Sequence, residues 1–177
     1  MNEILVLAGP SGVGKSTLET YAKKQGYLPL VSATTRSPRV GEVNGKDYYF
    51  LDEKDFISKI KSNAFVEYAI FSNAYYGTLK SELEHKLSLG DVVCVLEPMG
   101  AHNIKKLYPD KTKVIVVDLE DKLLEIRMRE RKDNIENIKK RLSLNAKMRE
   151  DLADFSYKVY NNGSIEKTWE KIEKIIK

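Results

Sequence analysis

At 177 residues, with 42% hydrophobic and 32% charged side chains, the chain has the balance of one globular core, unlike a disordered polyelectrolyte or a membrane protein. Its net charge of +4 is spread over mixed-sign segments with no dense basic stripe, which favours small anionic partners over nucleic acid. The longest apolar runs fall far short of a bilayer span, the opening residues show no export signal, and the one cysteine, Cys94, cannot form an intrachain disulfide, so a cytoplasmic setting without membrane contact is expected.

Ile4-Leu5-Val6-Leu7-Ala8 is a continuous apolar run, the pattern of a strand covered on both faces. Helical spacing runs from Lys15 to Gln25, with Gly26 as a stop. Between them Gly9-Pro10-Ser11-Gly12-Val13-Gly14-Lys15-Ser16 satisfies G-x-x-x-x-G-K-[ST], in the strand–loop–helix setting that motif requires. The glycines free the backbone to turn successive N–H groups toward phosphate oxygens, and the helix N-terminus adds partial positive charge. In this reading Lys15 reaches the β- and γ-phosphates, the Ser16 hydroxyl ligates Mg²⁺ brought by the nucleotide, and Thr17 assists. Such a loop alone leaves ATPases, GTPases and small-molecule kinases open.

The texture changes between Val31 and Tyr76, where Tyr48-Tyr49-Phe50 and its surroundings predict short strands in a mixed insertion that binds substrate. Ser32 to Glu42 places Arg36 and Arg39 three residues apart around Pro38, two guanidinium forks suited to a phosphate. Glu67 stands in an apolar strand, where an unpaired carboxylate is expensive and needs a partner. A single carboxylate can accept two adjacent donors of a partner, and each buried group left unpaired costs roughly 1–3 kcal/mol.

Helices are predicted near Asp52–Ser62, Leu79–Ser88, Ala101–Leu107 and Asp121–Arg131, with strands at Asp91–Leu96 and Thr112–Asp118. This alternation predicts a three-layer αβα fold with a central parallel sheet. Residues 123–151 read as two helices with a polar break near 132–134, followed by a strand at Tyr157–Asn161 and an amphipathic helix at Ile165–Ile176. His85 and His102 belong to no ligand constellation.

Ser32-Ala33-Thr34-Thr35-Arg36-Ser37-Pro38-Arg39-Val40-Gly41-Glu42, then Gly45-Lys46-Asp47-Tyr48, is similar to the signature of the guanylate kinases. Phe65 to Ala69, Tyr75 to Thr78, and Arg127 to Arg131 with Glu136 to Leu142 resemble that family's later blocks, so the likeness spans almost the whole chain. It implies Mg²⁺- and ATP-dependent phosphorylation of GMP, or of dGMP, in purine nucleotide metabolism. It also implies that Arg36, Arg39, Tyr48 and Tyr76 bind the GMP phosphate and that Ser32, Glu67 and Thr78 face the guanine, with Glu42, Gly77 and Glu97 in the same site. ATP would lie on residues 9–17 with Arg127, Arg131 and Arg141 closing on its phosphates and Asn161 near the adenine; Lys15, Arg36, Arg131 and Arg141 would carry catalysis. The implied organisation is one domain with a core (1–31, 81–126 and 141–177), a GMP-binding insertion (32–80) and a lid (127–140), as a monomer or a homodimer. Val95 and Glu97 stand where the family commonly has two aspartates, and Lys132 follows Arg131 where glycine is usual, in a slightly shorter segment. Two other readings stay open: a phosphopeptide-binding scaffold, against which an intact Lys15-Ser16 argues, and an enzyme with another monophosphate acceptor, as Val95 and Pro98 would permit.

Overall fold

The structure is a computed structural model that describes residues 2–71, 73–130 and 134–177, except for the side chains of Phe71, Asn137, Lys140 and Arg141. In chain order the first half runs β1 (Ile4–Ala8), α1 (Lys15–Lys24), β2 (Leu28–Pro29), β3 (Ala33–Thr34), β4 (Tyr49–Phe50), α2 (Glu53–Lys61), β5 (Phe65–Phe71) and β6 (Ala74–Leu79). The second half runs α3 (Lys80–Leu89), β7 (Val92–Val95), α4 (Pro98–Leu107), β8 (Thr112–Asp118), α5 (Asp121–Glu130), α6 (Ile135–Asp151), β9 (Tyr157–Tyr160) and α7 (Ile165–Ile176).

Five strands form a wholly parallel sheet in the order β2-β7-β1-β8-β9. The continuous apolar run of β1 is explained by its central place, because its two sets of side chains enter different cores. Leu5 and Leu7 pack with Leu18, Ala22, Leu124, Met128, Trp169 and Ile172 on one side. Ile4, Val6 and Ala8 pack with Leu83, Leu87, Ala101, Ile104 and Leu152 on the other. Helix-covered faces on both sides make the expected three layers. No helix of the described residues is long and apolar enough to cross a membrane.

The second sheet, in the order β4-β3-β6-β5, is mixed: β3 and β4 are parallel, the other two pairs antiparallel. Its own small core joins Ala33, Phe56, Phe65 and Leu79, with Phe56 stacked on Phe65 at 4.4 Å between ring centroids. Helix α2 is started by Asp52, whose side chain accepts the Asp55 N–H at 2.7 Å.

Two elements differ from the sequence expectation. Helix α4 begins at Pro98, three residues before the predicted start, because proline at the first helical position loses no hydrogen bond that the helix needs. The two-residue strand β2 is too short to carry a periodicity and is defined by pairing with β7 alone.

Candidate active site

The carboxyl ends of the parallel strands point to one edge, where β1 leads into the glycine loop, β7 into Glu97 and β9 into Asn161. Gly9 has φ of 139°, and a Cβ there would run into the Val117 carbonyl of β8, so only glycine lets the loop leave β1 in this direction. The side chain of Val13 is fully buried in the core beneath, which anchors the loop and leaves its backbone to face the cleft. Lys15 Nζ donates to the carbonyls of Gly9 and Pro10 at 2.5 and 2.8 Å. Burial pushes this ammonium below the usual lysine range, and the charge of Glu97 opposes that shift.

Lys15, Ser16, Thr17, Val95, Glu97 and Arg127 line one cleft of about 550 Å³ with the loop. Arg127 enters it from α5 and donates to the Asn161 carbonyl at 3.0 Å. Asn161 was expected near the adenine. Its side chain is only 2% exposed beneath the loop, where Nδ2 donates to the Val13 carbonyl at 2.8 Å and Oδ1 accepts from Thr168 at 2.8 Å. Both ends of the amide are engaged in supporting the loop. Arg131 lies outside the described residues, as does the side chain of Arg141.

The second pocket is built on the mixed sheet. Thr34 accepts the Arg36 N–H at 3.2 Å, and Thr34 and Thr35 bond the Tyr75 backbone, so the chain turns at Arg36 in a fixed direction. The guanidinium lies over the rings of Tyr48 and Phe50 at 5.4 and 5.8 Å, and Tyr76 is a ring neighbour of Tyr48. Glu42, expected in the GMP site, faces the arginine. Its carboxylate takes both arms of Arg36 at 2.9 and 2.8 Å and the Arg39 main-chain N–H at 2.7 Å. A carboxylate repels phosphate, so Glu42 orients the arginine, which in turn holds the Glu42 carboxyl below its usual range. Arg39 itself is exposed at the pocket rim.

Glu67 reaches this pocket through an irregularity that no periodicity announces. Phe65 pairs with Leu79 on the apolar face, yet Glu67 pairs with Thr78, so the register slips by one at Val66. This bulge turns Glu67 to the opposite face from Phe65, beside Thr78. Thr78 Oγ1 donates to Glu67 Oε1 at 2.8 Å. Thr78 and Glu67 form a row across β6 and β5, and Ser32, just before β3, leads into the pairing of Ala33 with Gly77 beside it. Tyr76 is two residues from Thr78 on the same face, about 7 Å along the strand. The row and the arginine pocket are thus adjacent. Burial raises the Glu67 carboxyl above its ordinary range, bonds from Thr78 oppose this, and the charge of Glu97 adds to it.

Two residues of α4 that sequence reading did not select hold the bulge. Asn103 Nδ2 donates to the Val66 carbonyl at 2.9 Å. Gly100 makes room for the Glu67 stem, since a Cβ there would be 2.8 Å from Glu67 Cγ and 3.3 Å from Leu96 Cβ. On the reading of Glu67 as guanine reader, Gly100→Ala is expected to raise the KM for GMP roughly tenfold by displacing that carboxylate, with the KM for ATP unchanged. Parallel titration of the two substrates in a steady-state assay checks it.

Glu97 was expected in the GMP site. It lies at the start of α4, lines the cleft of the glycine loop, and acts electrostatically on both Lys15 and Glu67. It therefore marks where the two pockets meet.

A glycine loop at the end of a parallel sheet, met by a cationic pocket on a separate small sheet, defines a P-loop protein of the phosphoryl-transferring class. A family model described as guanylate kinase matches residues 1–177. The guanylate kinase of Helicobacter pylori strain 26695 is 38% identical over 180 residues, covering 98% of this chain and 86% of that protein. The guanylate kinase of Synechocystis is 37% identical over 164 residues, covering 90% and 86%. The crystal structure of guanylate kinase from Anaplasma phagocytophilum superposes with a TM-score of 0.71 at 25% identity, over 99% of this chain and 84% of that one. The chain belongs to the guanylate kinase family.

Proposed function

We propose that this chain transfers the terminal phosphoryl group of ATP to GMP, giving ADP and GDP. The observation that carries the reading is the meeting of two anion pockets at Glu97, one made of loop amides and Lys15, the other of Arg36, Tyr48 and Tyr76 beside a buried carboxylate. A phosphate donor and a phosphate acceptor need such neighbouring sites. The guanine specificity rests on Glu67, with Thr78 holding its Oε1 in place and Ser32 just before the neighbouring strand β3.

The division of labour follows the same lines. Residues 1–31, 81–126 and 141–177 form the core that holds ATP, 32–80 the unit that holds GMP, and 127–140 the lid, with Arg127, Arg131 and Arg141 adding positive charge. Gly77 lets β6 pass close to β5, where a Cβ would be 2.8 Å from the Glu67 carbonyl.

The GMP phosphate oxygen attacks the γ-phosphorus in line, and Lys15 and the lid arginines stabilise the charge on the equatorial oxygens. Arg36 and the two tyrosines fix the acceptor, so most of the barrier reduction is positioning within a closed cleft. Ser16 and Glu97 offer hard oxygen donors in that cleft, and among the described residues no cluster of His, Cys, Asp and Glu could hold a metal by itself. That donor set suits a Mg²⁺ that arrives with ATP and keeps several waters. When bound, Mg²⁺ neutralises charge between the β- and γ-phosphates. Ser16 and Glu97 would hold it.

ADP formation from ATP with GMP, dGMP, AMP, UMP or dTMP at equal concentration tests the reading. GMP, or GMP and dGMP together, should exceed the others by at least about 10²-fold in kcat/KM, since each unpaired buried group is worth 1–3 kcal/mol. A protein that uses AMP as well as GMP, or that gives no GMP-dependent ADP, sinks it.

A further inference from the structure

The long helix α6 carries an inward stripe of Ile138, Leu142, Asn145 and Met148, in which one position is an amide instead of a hydrocarbon. Asn145 is 1% exposed, and a buried amide at an apolar position must be satisfied. Its partner is the phosphate loop, 134 residues away in sequence: the Ser11 N–H donates to Asn145 Oδ1 at 2.9 Å, and Asn145 Nδ2 faces the Ser11 carbonyl at 3.4 Å. A side-chain amide that meets both the N–H and the C=O of one residue fixes the plane of the backbone there. From the other side Asn161 holds the Val13 carbonyl, so the loop is gripped on either side of Gly12 by two buried asparagines.

The two grips come from different places. Asn161 follows a core strand, but Asn145 lies on the helix whose first turns adjoin residues 131–133, one turn beyond Arg141. The same helix is tied down further along by Arg149, which bonds Asp118, Asp121 and the Leu119 carbonyl. The side-chain hydrogen bonds of Asn145 therefore join α6 to the loop.

We propose that Asn145 is a positioning residue for ATP, acting through Ser11 to hold the phosphate loop in its binding shape and to couple that loop to helix α6. The proposal rests on the reading of residues 9–17 as the ATP site. Its failure is separable from failure of that reading, because wild-type ATP binding tests the site and the variants test the coupling.

Asn145→Ala is expected to raise the KM for ATP about tenfold, the equivalent of one lost hydrogen bond to a buried donor, with the KM for GMP within twofold of wild type. Amide hydrogen exchange at Ser11, measured without nucleotide, should accelerate in the same variant. Phe56→Leu is the stability control, since it weakens the small core of the mixed sheet and touches neither α6 nor the loop. It should lower the thermal midpoint at least as much while leaving the KM for ATP within twofold. Asn145→Leu, which fills the volume of the site and continues the apolar stripe of α6, guards against a misfolded alanine variant. It should hold a thermal midpoint at or above that of the alanine variant and still weaken ATP, because both bonds to Ser11 are gone. The proposal is overturned if Asn145→Ala raises both KM values equally, if Phe56→Leu reproduces its ATP defect, or if Asn145→Leu binds ATP like the wild type.

Discussion

Replacing Lys15 by methionine is expected to lower kcat by about 10²–10³-fold, the usual cost of removing one donor aimed at transition-state charge. The chain of reasoning begins with the loop. Gly9 turns it out of the sheet, Val13 pins it to the core, and Lys15 on the first turn of α1 folds back over it to reach the Gly9 and Pro10 carbonyls. An ammonium so placed stands where the phosphates of a nucleotide held by the loop amides would be. Burial already disfavours its charge, so a polyanion that repays the lost hydration binds a poised cation. Methionine keeps the length of the side chain and removes only the charge and the donors. The thermal midpoint should therefore hold or rise, since an expensive buried charge is gone. A fall in kcat with an intact midpoint and an unchanged KM for GMP marks loss of transition-state stabilisation. Activity within tenfold of the wild type would remove Lys15 from the mechanism.

The parts of the molecule that the sequence announced are those in which a local rule suffices. β1 is buried on both faces and so reads as an unbroken apolar run, and β8 matches its predicted limits, Thr112 to Asp118. α7 keeps Trp169 and Ile172 on one face. The glycine loop is legible because its chemistry is its backbone, and backbone freedom is written in the spacing of glycines. The supporting residues are illegible for the opposite reason. Gly100 matters through the space it leaves for Glu67, and Asn103 through a carbonyl freed by a bulge on another strand, and neither relation has a spacing. Asn145 did leave a trace, as the one amide in an apolar stripe. Asn161 reads from the sequence as a residue near the adenine, and its bonds beneath the loop to Val13 and Thr168 have no spacing that would announce them. Glu42 shows the same limit: a motif says which residues gather, while only geometry says that this one faces Arg36.

The bulge at Val66 makes Glu67 the most informative position for specificity, and Glu67→Gln the sharpest test of it. Glutamine keeps the shape and the Oε1 that Thr78 donates to, so the row across the strands survives. It turns the second oxygen into a donor, which opposes one of the two guanine N–H groups that the carboxylate accepts together. The expected loss in kcat/KM for GMP is about 10²-fold, and the same donor would meet the N1 lone pair of adenine, so the preference for GMP over AMP should shrink further than GMP activity falls. The pH dependence supplies an independent check with a definite sign. Burial raises the Glu67 carboxyl, so as pH falls it takes up a proton earlier than an ordinary carboxylate and stops accepting both guanine donors. The kcat/KM for GMP should decline on the acid side at higher pH than an unperturbed glutamate near 4.3 would produce. A phosphate monoester also titrates, near pH 6, in wild type and variant alike. The difference between the two pH profiles therefore isolates Glu67. If the acid limb of Glu67→Gln overlays that of the wild type, the carboxylate is not what reads the base, and the bulge that delivers it serves the fold alone.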